Sequence, residues 1–263
     1  MQAVYSSFTM FKLPVGDDED VSVALTVELS QNTSLSSGDD VIFDSVLFDV
    51  GDNYDSSSGE FTCKEDGVYV FVFGGHIASG YASNNMYRNN AREHYGPYLD
   101  NVWPEVDDSG TSSITRLVRC EAGDVVTIRP SSSRDFLGQV TYLSSFALSS
   151  PVVFSAQLSS SIYISNGITI PFDVVSINEG NRFTPVHGVF ACLDNDFYLF
   201  TWSITTASEA NQRPLSARLM MGSEEVKAGP QTMKPFNTGP HTTASTQVVV
   251  QCRNATTVYL QAV

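Results

Sequence analysis

The chain has 263 residues, 42% of them hydrophobic and only 16% charged, with 29 acidic against 14 basic side chains and a net charge of −15. That length suits two domains of about 100–150 residues each, and a low charge content balanced by Ser, Thr and Asn excludes a disordered polyelectrolyte. No apolar run reaches the ~18–20 residues of a membrane-spanning helix, and without clustered Lys and Arg there is no phosphate-tracking surface, so nucleic-acid binding is excluded as well.

In chain order, Met1 to Met10 reads as a strand and lacks the basic-then-apolar anatomy of a secretion signal, which leaves a removed signal open. Gly16-Asp17-Asp18-Glu19-Asp20 reads as an acidic linker. Val21 to Leu29 alternates, Gly67 to Phe73 is rich in β-branched and aromatic residues, and Asp124 to Arg129 follows Gly123 as a further strand. Turn chemistry separates them at Ser37 to Asp40, Gly51-Asp52-Asn53, Ser56 to Gly59 and Pro130 to Ser133. No convincing amphipathic helix interrupts the series, so the expected class is all-β, a sandwich or barrel of short strands. Charge is uneven along it: residues 1–150 carry 22 acids and 8 bases, residues 151–263 carry 7 and 6, so cations are the natural counterpart of the first half.

An internal repeat sets the domain organisation. Phe43-Asp44 through Gly51 recurs 129 residues later as Phe172-Asp173 through Gly180. The same offset carries Gly59, Phe61 and Cys63 onto Gly188, Phe190 and Cys192, and Tyr69 and Phe71 onto Tyr198 and Phe200. The expected division is 1–20 as strand and linker, 21–150 as domain one, and 151–263 as domain two, meeting near Ser149-Ser150-Pro151.

The order Phe43-Asp44, Gly51 to Asp55, Gly59 to Thr62, Gly67 to Phe71, Gly123 to Val126 and Ser144 to Leu148 resembles the globular C1q domain. Domain two keeps Phe154-Ser155-Ala156, Phe172-Asp173 and Tyr198-Leu199-Phe200, and departs at Asp196, where Gly67 stands in the first copy, and at Arg253 to Thr256. The resemblance implies two tandem jelly-roll β-sandwiches that usually trimerise, a fold shared with tumour necrosis factor-like ligands.

The ends carry a second clue. The run Tyr5-Ser6-Ser7-Phe8-Thr9-Met10 is similar to the closing strand Leu143-Ser144-Ser145-Phe146-Ala147-Leu148, whereas domain two stops at Thr257 to Val263 without such a strand; Gln2-Ala3-Val4 also repeats Gln261-Ala262-Val263. A segment cut out of phase from a longer array and a permuted unit both account for this, as does chance. The orphan strand is expected to fill the gap beside Val258 and Leu260, in its own chain or in a neighbour's, where it would build a filament.

Cys63, Cys120, Cys192 and Cys252 occupy repeated positions, and of the three pairings the one shared by both copies is Cys63 with Cys120 and Cys192 with Cys252. Four buried free thiols are the alternative; zinc lacks its Cys-x-x-Cys spacing. Disulfides, with the sequons at Asn32 and Asn254, point to a secreted, extracellular protein. Asp100, Glu105, Asp107 and Asp108 form an acidic loop suited to calcium, and the resemblance implies a loop of this kind near a trimer axis. His76, His94, His187 and His241 are scattered, no nucleophile motif accompanies them, and no enzyme is expected; Phe71, Phe73, Phe200 and Trp202 read as core or trimer-axis aromatics. Two functions follow: a recognition protein whose oligomeric loops engage a glycan or protein partner, or a self-assembling repeat unit of an extracellular material, joined by strand donation and trimer contacts.

Overall fold

The computed structural model describes residues 2–12, 23–77, 82–94, 98–99, 110–148, 152–192, 194–206, 215–227, 231–232 and 242–263. Among them there is no helix. The chain divides into two compact units, Asp20–Leu148 and a second made of Met1–Glu19 together with Ser149–Val263.

In the first unit, one sheet runs Thr33–Leu35, Arg134–Phe136, Gly67–Ile77, Tyr142–Leu148, Ala24–Glu28, Ser45–Val50, and Gly110–Cys120 also pairs with Gly67–Ile77. The other runs Tyr98–Leu99, Ala82–Arg88, Val125–Pro130, Glu60–Thr62, Tyr54–Asp55, with Ala91–His94 beside Ala82–Arg88. The period-2 alternation read from Val21 to Leu29 places Leu25, Val27 and Leu29 inside, and Tyr69, Phe71 and Phe73 enter the same core from Gly67–Ile77, on the far side of Tyr142–Leu148. Phe61 of the opposite sheet meets Phe71 edge-on at 5.1 Å, which joins the layers. The second unit repeats the plan, and up to Trp202 the 129 offset holds: Phe154, Phe190, Tyr198, Phe200 and Trp202 are buried where Leu25, Phe61, Tyr69, Phe71 and Phe73 are.

The repeated motifs have identifiable physical duties. Phe43 and Phe172 are buried, and the Asp after each ties down a serine: Ser30 donates from N–H and Oγ to Asp44 at 2.8 and 2.5 Å, and Ser159 makes the same two bonds to Asp173. Gly59 and Gly188 adopt φ of +79° and +63°, and a Cβ there would sit 2.8 Å from the Val41 carbonyl oxygen and 2.1 Å from that of Ile170. Glycine alone fits both the backbone angle and the close approach. Cys63 is bonded to Cys120 and Cys192 to Cys252, with Cα atoms 6.2 and 5.9 Å apart.

The N-terminal strand Gln2–Lys12 lies in the second unit, antiparallel to both Val153–Gln157 and Phe197–Thr206. Its register matches that of the first unit's closing strand. Ser145 faces Leu25 and Phe71; Met10 faces Phe154 and Phe200, which are Leu25 and Phe71 shifted by 129. The same holds for Tyr142 and Ser7, whose partners are Glu28 with Gly74 and Gln157 with Ser203.

Two sequence expectations are corrected here. The Ser6-Ser7-Phe8 likeness to Ser144-Ser145-Phe146 is three residues out of register, since Thr9-Met10-Phe11 stands there. An odd slip reverses the two faces of a strand, and the observed register puts Met10 in the core at 0% exposure. The strand also does not border Val258 and Leu260: Thr257–Ala262 belongs to the other sheet, between Val189–Ala191 and Leu215–Met221.

Candidate functional site

The predicted calcium loop Asp100, Glu105, Asp107 and Asp108 lies outside the described residues. The described acids have structural partners instead of a shared focus. Asp49 accepts the N–H groups of Asn53 and Tyr54 at 3.1 and 3.0 Å, Asp55 the N–H and hydroxyl of Ser57, Asp66 the N–H of Ala122, and Asp39 the N–H of Ser36. Among the described residues no cluster of His, Cys, Asp or Glu could hold a metal. Much of the first half's acidity is therefore turn chemistry, and the cation expected for that half has no site among these residues.

The hydrogen bonds leave a signature on the carboxyls. The Ser30 hydroxyl, then its N–H, hold Asp44 below its ordinary value. Asp124 is lowered by the Glu121 N–H and by Asn89. Partial burial pushes Asp173 up, but the Ser159 hydroxyl and N–H outweigh it and leave it low. Burial raises the Tyr54 phenol, whose oxygen accepts the Phe43 N–H at 2.9 Å.

Asn32 and Asn254 are both exposed. Asn32 Oδ1 accepts the Gly138 N–H at 3.0 Å, and Asn254 donates its backbone N–H to Asn195. His76 stands on Gly67–Ile77, His94 on Ala91–His94 and His187 in the turn before Val189–Ala191, and His241 lies outside the described residues. Phe71, Phe73, Phe200 and Trp202 are all core residues.

A polar assembly on the first unit's sheet of Ala82–Arg88 and Val125–Pro130 was not anticipated from the sequence. The hairpin between Ala82–Arg88 and Ala91–His94 is closed by Asn89 and Asn90, with φ of 49° and 64°, the left-handed pair that a two-residue turn of this twist requires. That turn aims both amides back at Val125–Pro130. Asn89 donates to Asp124 at 2.6 Å and accepts the Val125 N–H at 2.9 Å, while Asp124 also binds Arg88 at 3.0 Å. Asn90 accepts from Arg129 Nη2 at 2.7 Å, Asp40 takes Arg129 Nε at 2.6 Å and Nη2 at 3.3 Å, and the guanidinium lies 4.7 Å over the Tyr87 ring.

Arg129 is thus held on three sides, with its side chain 18% exposed. Among the described residues nothing accepts a hydrogen bond from its Nη1. A planar cation fixed in this way presents two N–H groups with little conformational entropy left to lose. The second unit has Met220, Gly222, Ser223 and Gln261 at the places of Tyr87, Asn89, Asn90 and Arg129, so the shared fold does not require the assembly. Its one sequence signal is the Asn-Asn turn; the Arg129–Asp40 contact spans 89 residues and has no local signature.

The two matched halves and their sandwich geometry define a jelly-roll module of known type. The family described as the C1q domain matches residues 24–147 and 153–263, and the chain belongs to it. Among solved structures, the globular domain of zebrafish complement 1qA is similar at 22% identity and a TM-score of 0.39, spanning 48% of this chain and 97% of that one. Murine APRIL at pH 8.5 matches at 13% identity and a TM-score of 0.36, over 48% of this chain and 98% of that one. The Eiger tumour necrosis factor of S. frugiperda matches at 14% and 0.38, over 49% and 92%.

Proposed function

We propose that this is a secreted recognition protein that binds its ligand through the surface around Arg129 and multiplies a weak contact by oligomerising through its C1q domains. The supporting observation is the guanidinium held by Asp40, Asn90 and Tyr87, with Nη1 donating to no acceptor among the described residues, present in one copy of the fold and replaced in the other. Asp40 offsets the charge, so the surface suits a neutral acceptor, such as a sugar hydroxyl or a peptide carbonyl, more than an anion. Membership of the C1q domain family supports trimerisation, and with it avidity. The donor set of Asp100, Glu105, Asp107 and Asp108 suits calcium. Seating Gln2–Lys12 in its own chain supports a closed unit over the strand-donated polymer of the alternative reading.

The test has two arms. Mass in solution over a concentration series, with and without calcium, should give one defined oligomer; an open-ended ladder would point to the structural material. Glycan and protein arrays probed with wild type and with Arg129→Gln, the second unit's residue, should show at least about a tenfold loss for the variant. Equal binding by both removes the Arg129 face from the reading.

A further inference from the structure

A second surface of the first unit is built for a partner of different chemistry. Ile42, Val46, Leu47, Phe48 and Val50 are 41, 45, 58, 49 and 45% exposed. Four of them occupy Ser45–Val50, which ends its sheet with Ala24–Glu28 as its described neighbour. Scattered exposed apolar residues are ordinary, but a contiguous run on a sheet edge is not.

The other copy supplies a control inside the same molecule. Its edge strand Val174–Glu179 carries the same bulge, with Ser176 as the extra residue where the first unit has Leu47. At the 129 offset Ile42, Leu47 and Val50 become Pro171, Ser176 and Glu179, and Ile177, in the place of Phe48, is only 6% exposed. The fold therefore closes without an exposed apolar edge.

Charge narrows the occupant. Asp44, Asp49, Asp52 and Asp55 flank the strand, and their counterparts are Asp173, Asn178, Asn181 and Thr184, so three of the four acids belong to the first unit alone. A second copy laid antiparallel on this edge would bring two such sets of carboxylates together. The bulge at Leu47 also interrupts a ladder that an added strand would need to continue.

We propose that Ser45–Val50 with Ile42 is a docking edge for a partner protein whose contact segment presents apolar side chains flanked by lysine or arginine, engaged through side chains more than through a continued ladder. The Arg129 reading rests on different side chains, and the two readings can fail independently.

The probe is a short synthetic peptide alternating leucine and lysine, titrated by fluorescence anisotropy against the full chain. The key variant takes the second unit's residues, Leu47→Ser with Val50→Glu. Charge attraction alone predicts that the added carboxylate tightens binding; the proposal predicts roughly tenfold weakening or more. Asp52→Asn, at a position with φ of 49° where Asn is well tolerated, should weaken binding a few-fold and reduce its salt dependence. Hydrogen-exchange protection of Gly67–Ile77 reports whether each variant is folded, and Leu47→Ser alone replaces the double variant if it is not. Unchanged or tighter binding by the variant overturns the proposal. So does a concentration-dependent dimer of the wild type that the variant abolishes, which would assign the edge to a second copy.

Discussion

Met10 tests the placement of the N-terminal strand most directly. It stands ten residues into the chain, ahead of the whole first unit, yet its side chain is fully buried in the second unit's core, paired with Phe154 on one side and Phe200 on the other. Met10→Ala removes buried methylene, sulfur and methyl groups from a packed site and leaves a cavity, which costs about 2–5 kcal/mol. Because each 1.4 kcal/mol is tenfold, the opening equilibrium of the second unit should rise roughly 30-fold to several thousand-fold. A single melting temperature is ill-defined for a two-unit chain, so hydrogen exchange read by peptide mass is the suitable assay. Amides in Val153–Gln157, Phe197–Thr206 and Thr242–Gln251 should lose protection, while those in Ala24–Glu28 and Tyr142–Leu148 keep theirs. Removing residues 1–12 should have a larger effect of the same distribution, and a peptide of that sequence added in excess should restore part of it. Loss centred on the first unit, or no change in either, would refute the seating of the strand.

Further outcomes follow from the repeated motifs. Gly188→Ala should destabilise more than Gly59→Ala, since its Cβ meets a carbonyl oxygen at 2.1 rather than 2.8 Å; Gly222→Ala, with φ of 60° and nothing within 4 Å, should lose only the left-handed backbone cost of about 1–2 kcal/mol, as chemical denaturation can show. Asp44 and Asp173 titrate below 3.8 when folded, so their contribution is complete above about pH 4 and fades as pH falls through the folded values. Replacing both with Ala should flatten the acid limb of stability against pH, and an unaltered limb contradicts the Asp–Ser lock. Opening either disulfide, with separations of 57 and 60 residues, should cost its own unit roughly 4 kcal/mol in the chain-entropy account, read from the denaturant midpoint of Cys63→Ala/Cys120→Ala against Cys192→Ala/Cys252→Ala.

Much of the frame is legible along the chain because its causes are local. Strand alternation, the Gly turns and the Phe-Asp repeat each act over a few residues, and a single offset carries Phe61, Tyr69 and Phe71 onto Phe190, Tyr198 and Phe200. The surfaces are less legible. Arg129 meets Asp40 across 89 residues and Tyr87 across a strand pair, and neither contact leaves a periodic trace. The apolar edge from Ile42 to Val50 reads as an ordinary strand until its exposure is known. Asp49 and Asp66, two of the acids behind the first half's negative charge, accept backbone N–H groups, which only three-dimensional hydrogen-bond geometry can reveal.

The N-terminal strand divides the two kinds of knowledge most sharply. That residues 1–10 resemble a closing strand is a fact of sequence. That Thr9-Met10-Phe11 takes the place of Ser144-Ser145-Phe146, which sheet receives the strand, and that Met10 points inward were decided by tertiary packing. A strand's two faces differ only by what covers them, so its register is set by its own apolar side chain at Met10 together with the Phe154 and Phe200 strands that cover it.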